Sequence, residues 1–79
     1  MKIQVLGAGC DKCDALYENV SQAAANLGLD AEIEKIEDLM QIVMFGVLEA
    51  PALAVDGKVV LRSRIPGVKE LEALLRKQM

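Results

Sequence analysis

Hydrophobic positions along the chain change period several times, and each change marks an element. In Lys2-Ile3-Gln4-Val5-Leu6, Ile3 and Val5 share one face and the other face ends apolar at Leu6, which predicts a half-buried or central strand. From Cys13 the period lengthens. Cys13, Leu16, Tyr17, Val20, Ala24 and Leu27 fall on one helical face, with Asp14, Glu18, Gln22 and Asn26 largely opposite. Gly28 then stands where a glycine in the left-handed conformation ends a helix, so the first helix is expected over roughly Asp11 to Leu27.

Leu29 to Ile36 alternates around Ala31, Ile33 and Lys35 and predicts a second strand with its acidic face in water. A strand, a crossover helix and a strand of this length close as a right-handed βαβ unit with a parallel pair. Glu37 and Asp38 precede the apolar run from Leu39 to Phe45, the place where a helix start prefers acids and caps, and Gly46 closes that second helix. Because the run is apolar almost all round, one side is expected on the sheet and another half covered. Ala50 to Val55 and Lys58 to Leu61 flank Asp56-Gly57, a strong signal for a hairpin whose turn needs positive φ at both positions. Behind Pro66-Gly67, Val68, Leu71, Leu74 and Leu75 keep helical spacing, with Lys69, Glu70, Glu72, Arg76 and Lys77 solvated. The expected order is β-α-β-α-β-β-α. No repeat, linker or low-complexity stretch interrupts residues 1–79, so one domain is expected.

Composition narrows the possibilities. The chain has 79 residues, 53% of them apolar and only 3% aromatic, so the core must be aliphatic and efficient. A net charge of -3 with scattered basic residues speaks against nucleic acid or an anionic membrane as partner. No apolar run approaches the ~20 residues that span a bilayer, and the N-terminus lacks the apolar stretch of a secretory signal, so a cytoplasmic location is expected.

Candidate chemistry lies in Gly7-Ala8-Gly9-Cys10-Asp11-Lys12-Cys13, a glycine-loosened turn with two cysteines at a helix mouth. The i, i+3 spacing puts both sulfurs on one helical face, within reach of a disulfide. Unsatisfied N–H groups and the positive end of the helix dipole favour a thiolate there, and such settings bring a cysteine pKa from about 8.5 to roughly 3.5–7.5. Lys12 favours the thiolate and Asp11 opposes it. Two cysteines in a C-x-x-C, rather than the many of a stapled secreted mini-protein, fit redox or metal work in a reducing compartment. Closed structural zinc sites want four N or S ligands, which two cysteines and no histidine supply only in a dimer. A soft ion such as Cu(I) needs only two thiolates, so a soft-metal carrier is the alternative from another class.

The C-x-x-C at the first helix, the proline opening the third strand, the hairpin and the closing helix resemble the thioredoxin fold in its minimal form. The chain is similar to small prokaryotic thioredoxin-like and glutaredoxin-like redox-active disulfide proteins. Gly7-Ala8-Gly9-Cys10 through Cys13 and Pro51-Ala52-Leu53 through Asp56-Gly57-Lys58 carry the likeness. The resemblance implies an α/β fold with a mixed four-stranded sheet and three helices, and thiol–disulfide exchange with a protein disulfide or dithiol client, recharged by a reductase. It implies Cys10 as nucleophile and Cys13 as resolver. It also implies a cis Pro51 against the cysteine pair and the Ala50 backbone offered to substrate, with Gly9, Asp11 and Lys12 at the same surface. No cofactor or resident metal is expected, and the chain is expected to be monomeric. Glu49 and Ala50 before Pro51 favour a protein client over direct glutathione use, although Lys12, Arg62 or Arg64 could contribute to holding the tripeptide. Met44, Phe45, Val47 and Leu48 would leave an apolar patch near the cysteines where a partner could dock. Copper carriers, by contrast, usually have methionine where this chain has Ala8, and their element order ends in a strand.

Overall fold

The computed structural model of the protein describes residues 1–7, 11–47 and 50–78. Its sheet is assembled on β1 (Lys2–Leu6), which pairs in parallel with β2 (Glu32–Ile36) and antiparallel with β3 (Ala52–Val55). The hairpin partner β4 (Lys58–Arg62) extends the sheet beyond β3, giving the mixed order β2-β1-β3-β4. With α1 (Asp11–Asn26), α2 (Leu39–Met44) and α3 (Val68–Lys77), the elements follow the order read from the sequence.

Period-two alternation on the two central strands divides the core between the faces of the sheet. Ile3, Val5, Leu53 and Val55 meet Leu16, Val20, Ala23 and Ala24 of α1 and Leu71 and Leu75 of α3. Leu6, Ala52 and Ala54 instead cluster with Ile42 of α2 and with Val47. Burying each of these large aliphatic side chains contributes about 1.5–3 kcal/mol, which is what a small domain without aromatic bulk depends on. Asn19 donates to the Pro66 carbonyl at 3.1 Å and so ties α1 to the segment that leads into α3.

Helix ends are closed as the sequence leads one to expect, with consequences for their neighbours. At the end of α1 the Leu29 N–H donates to Ala24 O at 3.0 Å and the Gly28 N–H to Ala25 O at 3.1 Å, with Gly28 at φ +66. That is a Schellman closure. It engages the Leu29 N–H in the helix cap, so β2 begins at Glu32 and not at Leu29 as expected. Asp38 caps α2 by accepting from the Met40 N–H at 2.9 Å.

Two further expectations are corrected. β3 starts at Ala52 and not at Ala50, because Pro51 has no N–H to donate to the ladder. The second helix is not half covered on its outer side: among its residues only Ile42 is buried, while Leu39, Met40, Val43 and Met44 are 57–84% exposed. The helix presents one side to the sheet, and Ile42 is the residue on it that joins the cluster of Leu6, Ala52 and Ala54. Among the described residues no helix is long and apolar enough to cross a membrane.

Candidate active site

The parallel strands β1 and β2 end together at Leu6 and Ile36, and the ladder runs one step further through the Gly7 N–H, which donates to Ile36 O at 3.0 Å. At the same edge Leu6 pairs with Ala52, so the segment entering β3 arrives beside the start of α1. The end of β1 and the first turn of α1, close in sequence, are therefore joined here by the remote Ala50-Pro51. Crevices beyond the carboxyl ends of parallel strands are where open α/β sheets place their ligands.

Cys13 lies in the first turn of α1 with 1% of its surface exposed. The reason it fits is Gly7, which is itself buried. A methyl group built on Gly7 would collide with the Cys13 sulfur, would stand 3.2 Å from Cys13 Cβ and would reach the Ala50 side chain at 3.5 Å. Cys13 and Ala50 thus flank the same bare backbone position. The Ala50–Pro51 peptide bond is cis; Ala50 is exposed and Pro51 buried. Ser63, at φ +56 just past β4, donates its N–H to the Pro51 carbonyl at 2.8 Å and holds this segment against the end of the sheet.

Asp11 and Lys12 are exposed at the mouth of α1, and neither forms an ion pair among the described residues. Gly9 and Cys10, the other site residues expected from the sequence, lie outside the described residues, as do Leu48 and Glu49. The structure thus brings Cys13, Ala50 and Pro51 to one edge and sets Asp11 and Lys12 at its rim.

Sequence reasoning missed two features. Gly7 reads along the chain as one more loosening residue of a turn, yet its role here is to leave room for a sulfur. The second is Lys35 near the end of β2, which pairs with Asp14 of α1, lies 3.9 Å from Glu37 and stands 6.0 Å from the Tyr17 ring centre. It clamps the flank of the α1 turn that carries Cys13. Lys35 has only 30% of its side chain exposed, and in the strand pattern nothing but its odd position on the apolar side of the alternation hinted at this.

A sulfur so covered cannot meet a bulky disulfide directly. The arrangement suits a cysteine that acts second, after a more accessible group has captured the substrate. Among the described residues no three histidine, cysteine or acidic side chains gather as a metal site.

A thioredoxin domain profile matches residues 1–76. The chain is 41% identical over 75 residues to a thioredoxin of Methanothermobacter thermautotrophicus, covering 95% of this chain and 97% of that one. It is 40% identical over 74 residues to a thioredoxin of Methanocaldococcus jannaschii, covering 94% of this chain and 85% of that one. Among solved structures, one described as the structure of a malarial protein superposes with a TM-score of 0.71 over 99% of this chain and 96% of its own, at 15% identity. That last likeness is one of fold.

Proposed function

The chain belongs to the thioredoxin domain family, and on that premise we propose that it is a thiol–disulfide oxidoreductase exchanging a reversible Cys10–Cys13 disulfide with protein disulfides. In the reducing direction the Cys10 thiolate attacks a client disulfide, forming a mixed disulfide and releasing one client thiolate. Cys13 then gives up its proton, attacks the Cys10 sulfur, closes the Cys10–Cys13 bond and releases the second client thiolate. The client gains two electrons and the cysteine pair loses two, to be restored by a reductase.

The observation that carries this reading is the near-complete burial of Cys13 against Gly7 at the start of α1. It supports a division of labour in which the buried sulfur resolves what the other captures. Ala50, exposed beside the same edge, supports a role for that segment in receiving the client backbone, with Gly9, Asp11 and Lys12 completing the surface. A monomer working on protein clients, without cofactor, is the state in which we propose it acts. The soft-metal carrier finds less support, since the order β-α-β-α-β-β-α inserts α2 between β2 and β3, which a β-α-β-β-α-β carrier does not.

Reduction of a disulfide-bonded test protein in the presence of a small dithiol tests this. The wild-type chain should accelerate it catalytically, and Cys10→Ser and Cys13→Ser should each abolish turnover. Activity surviving in both variants would remove the cysteine pair from the chemistry.

A further inference from the structure

Gly7 is not glycine for conformational reasons. Its φ lies outside the left-handed region, unlike that of Gly28, Gly46 and Gly57, so a residue with a side chain could adopt its backbone. What forbids a side chain is space, and the atom that occupies the space is the Cys13 sulfur. The backbone around Gly7 has little freedom to yield, since its N–H continues the parallel ladder to Ile36 and the preceding Leu6 is wholly buried and paired on both sides. Cys13 is equally constrained, being held by a helix whose next inward residue, Leu16, is wholly buried.

We propose that Gly7 is a positioning residue for the exchange reaction: its missing side chain forms the seat that fixes the Cys13 sulfur for attack on the mixed disulfide. This rests on the proposed function for the reaction it serves, though not for the contact itself. In Gly7→Ala the sulfur must leave the seat, and an error of about 1 Å in a reacting atom can cost roughly a hundredfold in rate. The capture step, which does not use Cys13, is untouched.

An aromatic disulfide that releases a coloured thiolate separates the two steps. Cys10 attacks first, giving the protein–aryl mixed disulfide and one coloured thiolate; the deprotonated Cys13 then displaces the second and leaves the Cys10–Cys13 disulfide. Gly7→Ala should keep the first phase and slow the second by about a hundredfold. An unchanged second phase overturns the proposal. Thermal melting of reduced protein gives a second test, and where Gly7→Ala alone shows no folding transition, its return on adding Cys13→Ala is the expected result and its continued absence overturns the proposal. Gly7→Ala should lower the midpoint by roughly 10 °C or more in the wild-type background, and by much less when combined with Cys13→Ala, which removes the colliding atom. Equal losses in both backgrounds overturn the proposal. Should wild type release only the first thiolate, the exchange reading fails, while the melting comparison still decides the Gly7–Cys13 contact.

Discussion

The Asp56 carboxylate accepts the Lys2 backbone N–H at 2.8 Å, while the Asp56 N–H donates to the Lys2 carbonyl at the same distance. One hairpin residue thus holds both the N–H and the carbonyl of Lys2 at the start of β1, the opposite end of that strand from Gly7 and Cys13. Asp56 does so from φ +51, a conformation that aspartate and asparagine tolerate better than most residues. Asp56→Ala should cost about 1–2 kcal/mol through the lost hydrogen bond and the strained turn together. Asp56→Asn, which keeps an acceptor and the tolerance for positive φ, should cost less than half of that. Chemical denaturation of the three proteins reads the difference, and equal stability of all three would show that the side-chain bond contributes nothing.

Two glycines outside the site should respond with opposite signs. Gly28 closes α1 at φ +66 with open space around it, so Gly28→Ala meets no neighbour but must hold a left-handed backbone, at about 1–2 kcal/mol. Gly67 caps α3 at φ -69 and ψ 170 with no side-chain bond, a conformation open to any capping residue. Gly67→Ser should raise stability by about a few tenths of a kcal/mol. A stabilised Gly28→Ala or a destabilised Gly67→Ser in the same melting series would contradict the assignment of these ends.

Metal retention gives an independent prediction. The chain has two cysteines and no histidine, so an ion at the cysteine pair would have no imidazole to complete its coordination shell. Purified without chelators, the protein should hold far less than one copper or zinc per chain. Competition against a chelator of known affinity checks it; a full equivalent kept by the protein would favour the carrier over the exchanger.

Much of this architecture was legible along the chain because the information is local. The 3.6 and 2.0 periods marked α1, α3 and β1, Gly28 marked the end of a helix, and Asp56-Gly57 marked a turn whose two residues sit at φ +51 and +85. Boundaries failed where backbone hydrogen bonding overrides side-chain pattern. Leu29 to Ala31 alternate like a strand, but the helix cap takes the Leu29 N–H first. The exposure of Leu39, Met40, Val43 and Met44 was hidden because apolar composition predicts burial, whereas a two-turn helix has only one side to bury. In the site, the cysteine spacing announced itself. Gly7 did not, since a glycine required for φ and a glycine required for space look alike in a sequence, and only the position of a sulfur six residues on separates them.

The central claim is that the two sulfurs divide the work, and covalent trapping tests it most directly. Cys13→Ser protein, exposed to a cell extract, should stall after capture and accumulate client mixed disulfides through Cys10 that reductant releases. Cys10→Ser should accumulate few, and its Cys13, 1% exposed against Gly7, should alkylate slowly at neutral pH. Clients trapped by Cys10→Ser and not by Cys13→Ser, or equal alkylation rates for the two single variants, would contradict the account.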